Sequence, residues 1–441
     1  MIGNRMATRK IVTIGIALFA AQFTWVIFNT YVPIFLQTGD PSFDALRNSA
    51  DQTRLMNGFG LSAVQTGFIM SLDNIAAFLL QPLTGVLSDR VRSRYGRRLP
   101  YLLLGMPAAA LGIALIPLLL PGAETDRAVV FYPFLACLLV MVAAMAFWRA
   151  PVFALMADLT PSANRSHANG ILNLMAGLGG VLAFGIGSLL YALYRPFPFW
   201  MAALLLVAGC VLIAWRVKEP VSAGEERERN APSIGSGLSE WLRSLGADRR
   251  RSMGLLVVAV FCAMMGFHPI DAFFSSYGVS VLKLSEANSG LVLSAAYIAF
   301  ILAAIPVGVA AGKIGRKRVV LAGLVLFAAA LLTAFFTPLV SVMVVLMALG
   351  GIGWAMIDIN IFAMVLDTAG KAERSDISAN MGTATGVYFI ATTLAATLGP
   401  VLNGWLIDLS GRNYSTIFLI GPAFFILAFA CVSQVRHGEA Y

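Results

Sequence analysis

Charge is scarce in this sequence. Asp, Glu, Lys and Arg together make up 12% of 441 residues, about half the share found in a soluble chain. With 59% hydrophobic residues and a mean hydropathy of +0.81, a water-soluble globule of this size could not cover its apolar surface. Disorder and a coiled coil fail on the same arithmetic. Cysteine and histidine are few as well. The four cysteines (Cys137, Cys210, Cys262, Cys431) all lie in apolar runs, no Cys-x-x-Cys occurs, and the three histidines are scattered. No disulfide or metal site is therefore expected. The phosphate-binding pattern Gly-x-x-x-x-Gly-Lys-Ser/Thr is also missing, which excludes ATP use by that route. No nucleophile–base pair appears, so an enzyme is not expected, nor is any cofactor.

What the chain has in quantity is apolar sequence of membrane-spanning length. About 20 apolar residues cross a bilayer core, and runs of that length occur twelve times: 11–36, 61–87, 99–120, 129–157, 167–194, 197–216, 253–281, 287–311, 319–336, 338–366, 377–407 and 414–434. The division between the fifth and sixth rests on Arg195-Pro196 and Pro198. The basic start, Met1 to Lys10, leads into an apolar run too long for a cleaved leader, so it is read as an uncleaved first span. The expected fold is an all-α membrane protein whose partner is the lipid bilayer.

The formal charge of +9 is distributed by side. Of the Lys and Arg residues, 24 fall on the side of the two termini and six on the other, with Arg149 left inside a span. By the positive-inside rule, both termini face the cytoplasm across the cell membrane. The positive excess is a topology signal, and no nucleic-acid partner is implied. The longest break, 217–252, separates two halves, 1–216 and 253–441. Within it Leu238, Trp241, Leu242 and Leu245 stand at helical spacing before Arg249-Arg250-Arg251, which fits either a short amphipathic helix on the inner leaflet or a plain linker.

The halves repeat. The second span ends in GVLSDRVRSRYGRR and the eighth in GVAAGKIGRKR; Arg149, Asp158 and Arg165 recur as Asp358, Asp367 and Arg374 at spacings of nine and seven. Four charges fall deep in the spans: Asp73, Arg149, Asp271 and Asp358. Each is costly in hydrocarbon and so faces a cavity or a partner. Burial in a low dielectric favours a protonated carboxyl, which makes Asp73 and Asp271 candidates for carrying a proton, with His268 beside Asp271 as a possible partner in it. Arg149 and Asp358, at equivalent places in the two repeats, read either as substrate-binding groups that switch charge or as an ion pair holding the halves together. Aromatic and amide groups nearby extend the candidate binding set: Trp25, Asn29, Asn74, Trp148, Trp354, Asn360 and Tyr388.

Gly-x-x-x-Asp-Arg followed by Gly-Arg-Arg resembles the loop-2/3 motif of the major facilitator superfamily. The longer form SRYGRR with Pro100 is similar to two of its branches, the glycoside–pentoside–hexuronide:cation symporters and the sucrose:proton symporters. AAQFTWVIFNTYVPIFLQ and ALMADLTPSANRSHANGILN extend the likeness. The sequence departs from these branches where melibiose-type carriers have acidic cation ligands, with Gln81 and Ala77 there instead. It also departs from plant sucrose carriers, which have Pro-x-Arg where this chain has Pro151-Val152-Phe153. The resemblance implies two parallel six-helix repeats in the major facilitator fold. It also implies a monomer that moves a sugar or glycoside with H+ by alternating access. Asp89, Arg90, Arg97, Arg98, Asp158, Arg165, Asp367 and Arg374 would serve as gating charges on the inner side. Two alternatives stay open: an exporter of drugs or metabolites with the same fold, and a non-transporting membrane sensor or scaffold.

Overall fold

The structure is a computed structural model that describes residues 2–47, 58–91, 93, 95–122, 125–160, 165–217, 245–369 and 377–438. Among these residues it is all helical, and twelve helices are long and apolar enough to cross a membrane. They are Lys10–Gln37, Ala63–Ser88, Leu99–Leu118, Arg127–Leu159, Gly170–Leu193, Phe197–Arg216, Ala247–Ser280, Glu286–Ile314, Arg316–Phe336, Val340–Ala369, Thr383–Leu409 and Tyr414–Gln434, here spans 1 to 12. A helix satisfies its own backbone, which lipid cannot do. Large apolar side chains therefore point outward: Ile305 is 79% exposed and Leu302 71%. In water such surface would be a liability; in a bilayer it is the solvated face.

Spans 5 and 6 separate at a turn between Leu193 and Phe197, where Arg195-Pro196 marks the break. Span 7 begins earlier than its apolar run, at Ala247, and takes Arg249, Arg250 and Arg251 into its first turns. A helix can extend past the hydrocarbon edge while its basic side chains reach the interface. The proposed amphipathic segment falls mostly on residues 238–244, outside the described residues.

The chain forms two compact units. The first comprises Met1–Ser62, Leu72–Arg229 and Lys283–Leu291; the second comprises Ala63–Ser71, Asn230–Leu282 and Val292–Tyr441. In the first, span 1 packs on spans 5 and 6, and span 3 on spans 4 and 6. In the second, span 7 packs on spans 11 and 12, and span 9 on spans 10 and 12. The same four pairings thus recur six spans later.

Two short segments depart from the simple division into halves. The first part of span 2 lies in the second unit, where the helix Ala63–Met70 packs on span 11. Its first backbone N–H groups have no partner within their own helix, and the Asp408 carboxylate accepts from both Ala63 (3.0 Å) and Val64 (2.9 Å). Span 2 then breaks at Ser71, whose N–H is shared between the Gly67 and Phe68 carbonyls at 3.1 Å each. The helix resumes as Leu72–Arg90 in the first unit. Replacing Asp408 with Ala is expected to lower unfolding stability by about 1 kcal/mol, the usual cost of losing an N-terminal cap. Asp408→Asn should retain most of it; denaturant titration of the purified protein in detergent compares the two.

Candidate functional site

The break in span 2 positions the first intramembrane acid. Asp73 follows Ser71 by two residues, half-buried, and its Oδ1 accepts from the Asn74 backbone N–H (2.6 Å) and side-chain amide (2.7 Å). Arg149 of span 4, exposed although deep in its helix, lies within electrostatic reach of Asp73. Trp25 and Asn29, one turn apart on span 1, are both half-buried, with Trp25 edge-on to Phe28 at 5.7 Å. Trp148 is a different case. Its side chain is 1% exposed, and Gly105 of span 3 leaves so little room beside it that a Cβ there would stand 2.9 Å from the indole. The residue expected to offer a ring to a ligand instead packs span 4 on span 3.

The second unit brings together a separate set. Tyr297 of span 8 donates to Asp271 Oδ1 of span 7 at 2.7 Å. One turn earlier, His268 sits half-buried against Phe267, ring centroids 5.6 Å apart. Phe267 in turn stacks on Trp354 at 4.2 Å with a 10° interplanar angle, so one face of that indole is already covered. Asp358, one turn after Trp354, is half-buried and within electrostatic reach of Tyr388 on span 11. Among the described residues its carboxylate has no hydrogen-bond partner. Asn360 is 2% exposed and donates back to the Met356 carbonyl at 2.9 Å, so its amide serves its own helix.

At the basic face, one arrangement occurs once in each unit. Asp158, ending span 4, accepts from Arg97 at 2.8 Å and Arg98 at 3.4 Å; Asp367, ending span 10, pairs with Arg316. A glycine precedes the arginine in both copies, Gly96 at φ +106° and Gly315 at φ +93°. That left-handed turn suits glycine and swings the basic side chain toward the next helix end. Arg98, 5% exposed, also reaches the Gly85 carbonyl and Ser88 Oγ. The side chains of Asp89, Arg90 and Arg165, and the whole of Arg374, lie outside the described residues. In the described pairs both partners belong to one unit. Each bond therefore ties helix ends within one unit.

Sequence reasoning missed one charge cluster. The segment Lys283–Leu291, which links span 7 to span 8 and includes the first residues of span 8, is part of the first unit. There Glu286, 3% exposed, pairs with Arg47, accepts from Tyr191 Oη at 2.7 Å and lies 3.4 Å from Arg195. Tyr191 is stacked face to face on Tyr31 at 4.1 Å. Lys283 donates to the Leu46 carbonyl, and Ser188 to Asn288 Oδ1 at 3.1 Å. Asp44 adds a carboxylate 3.6 Å from Arg47; burial raises its proton affinity above the ordinary value, offset in part by the Gly39 N–H and Arg47. In the sequence these charges sit at the edges of apolar runs and look like ordinary loop residues.

The family model for the Major Facilitator Superfamily matches residues 14–290 and again 256–438. Among relatives, sucrose transport protein SUT4 of Oryza sativa subsp. indica is 26% identical over 197 residues, covering 41% of this chain and 29% of that protein. Proton-associated sugar transporter A of Homo sapiens is 30% identical over 191 residues, covering 41% and 22%. The matched region thus spans less than a third of these relatives. Among solved structures, a mutant of the nucleoside transporter NupG aligns with a TM-score of 0.70 at 14% identity, over 97% of this chain and 100% of that one. A bacterial homologue of the lysosomal transporter Spinster, inward-facing and occupied, aligns at 0.66 and 13% identity, over 96% and 93%. At these identities the structures speak for the fold.

Removing one member of a buried ion pair leaves the other charged and unaccompanied, at a cost of about 3–5 kcal/mol. Glu286→Ala is expected to destabilise the protein on that scale. The double variant Arg47→Ala/Glu286→Ala should recover part of the loss. Thermal and denaturant unfolding of the four proteins of that cycle, wild type included, would check it.

Proposed function

We propose that this chain, which belongs to the Major Facilitator Superfamily, is a secondary transporter carrying a sugar or glycoside together with protons. The relatives named for sucrose and for proton-associated sugar transport support the substrate class. Support for coupling comes from the way the intramembrane acids are accompanied. By the distribution of Lys and Arg, the basic face and both termini lie in the cytoplasm and the chain sits in the cell membrane.

One observation carries the assignment of roles: Asp271 is bonded to the Tyr297 hydroxyl, whereas Asp73 lies within electrostatic reach of the Arg149 guanidinium. A phenol can donate to a carboxylate or accept from a carboxylic acid, so the Tyr297–Asp271 contact survives either protonation state. That makes Asp271 the proton carrier, with His268 one turn away as its exchange partner. Asp73 instead has the Arg149 guanidinium within electrostatic reach, an acid and a base that can both bond a hydroxyl. Asp73, Asn74 and Arg149 then form a charged, polar patch that binds substrate hydroxyls, flanked by Trp25 and Asn29. Asp358 and Tyr388 supply the corresponding groups of the other repeat. Transport proceeds by movement of each bundle as a body, with the Arg97/Arg98–Asp158 and Arg316–Asp367 pairs keeping the bundle ends intact. The protein works as a monomer.

Proteoliposome uptake of labelled disaccharides tests this directly. An imposed inward proton gradient is expected to drive accumulation above equilibrium. Asp271→Asn should abolish that accumulation while leaving sugar counterflow, because exchange of loaded carrier needs no net proton release. Arg149→Ala should lose both. Gradient-driven accumulation that persists in Asp271→Asn would reject the carrier assignment, and absence of any sugar counterflow in the wild type would reject the substrate.

A further inference from the structure

A cavity of about 260 Å³ opens at the basic face of the second unit, where the starts of spans 7 and 9 meet the end of span 12. Arg251, Lys317 and Arg436 line it with a single carboxylate, Asp248, leaving a local charge of +2. The walls are tied together. Lys317 Nζ donates to the Ser433 and Val435 carbonyls at 2.8 Å, closing the end of span 12. The backbone N–H groups of Arg436 and His437 both donate to Ser252 Oγ at 3.3 Å, folding the tail over span 7. Arg251 reaches Gln434 Oε1 at only 3.5 Å, and both Arg251 and Arg436 are exposed.

The cavity also has an apolar approach. Along span 12, Leu419, Ala423, Ile426, Leu427 and Ala430 are all exposed. They fall at intervals of four, seven, eight and eleven from the first, which is one face of a helix. Continuing that spacing to fourteen and fifteen gives Ser433 and Gln434, which line the cavity. An outward apolar stripe therefore runs straight into a cationic recess at the level of the basic residues. A ligand matching both features has acyl chains and an anionic head.

We propose that this recess is a binding site for the phosphate headgroup of an anionic phospholipid, whose chains lie along the exposed face of span 12. Juxtamembrane arginines and lysines attract anionic lipid in general. Here they surround a formed cavity, and the zwitterionic alternative would bring its own ammonium toward three cations. The recess lies apart from the residues assigned to transport, so this inference stands whether or not the substrate proposed above is correct.

The test is lipid retention by the full-length protein, purified from mixed micelles holding equal phosphatidylglycerol and phosphatidylcholine, with bound lipid counted by native mass spectrometry. Wild type is expected to retain phosphatidylglycerol in about fivefold preference. Arg251→Gln/Arg436→Gln should lose the preference, while Arg251→Lys/Arg436→Lys and the off-site Arg318→Gln keep it; thermal unfolding of each variant confirms that it is folded. If the Gln pair does not fold, the single Arg436→Gln near the chain end takes its place. Equal retention of the two lipids by wild type, or an undiminished preference in the Gln variant, would overturn the site. So would inorganic phosphate displacing the lipid and occupying the recess itself, since the ligand would then be a soluble anion.

Discussion

An ionised side chain in hydrocarbon must find company, and that constraint organises this molecule more than any single packing contact does. The spans themselves need no specific partner to be helical, because backbone bonds close within each helix and lipid is as apolar as their surfaces. The charges do. Asp73 has Asn74 and Arg149, Asp271 has Tyr297, Asp158 has two arginines and Glu286 has two arginines and a tyrosine. Each of these sets joins residues from different helices or connectors of one unit. The polar inventory thus adds specific ties between helices that the apolar surfaces already pack together.

This division explains how much of the molecule was legible from residues alone. The twelve spans, the break at Arg195-Pro196 and the internal repeat follow from hydropathy and spacing, which are local properties. The intramembrane acids could be picked out because a charge amid apolar residues is conspicuous. Their partners could not. Tyr297 is 26 residues from Asp271, and nothing near it in sequence distinguishes it from any other tyrosine in a span. Glu286 failed for the opposite reason: it stands at the edge of an apolar run, where a charge is unremarkable, and only the fold shows it to be buried. Trp148 misled in a third way. An indole beside a charged residue fits a sugar platform or a packing surface equally well in sequence. The narrow space at Gly105 decides for packing at Trp148.

The break at Ser71 is a further element that composition hides. No proline or glycine stands at that position, yet the helix is interrupted there and the chain passes from one compact unit to the other. Backbone irregularity within a membrane is tolerated where protein or a water-filled cavity surrounds it. Ser71 meets that condition: it is fully buried, and its N–H keeps two acceptors. Asp73 follows directly, so the acid sits at the resumption of the helix.

The duplicated arrangement at the basic face shows how a repeat acquires distinct duties. Gly96-Arg97-Arg98 and Gly315-Arg316-Lys317 enter spans 3 and 9 through the same left-handed turn, and the first basic residue of each meets the aspartate ending the following span. At the next position the copies diverge. Arg98 is buried and turns toward span 2, engaging Gly85, Ser88 and Asp158 with a planar group that has donors to spare. Lys317 turns toward the end of span 12 and gives its ammonium to two backbone carbonyls. A guanidinium there would be larger and flatter than the helix end requires, whereas a compact ammonium closes it and remains on the wall of the recess. The two halves thus share a scaffold at this face and diverge at this side chain, which in the second unit lines the cationic cavity.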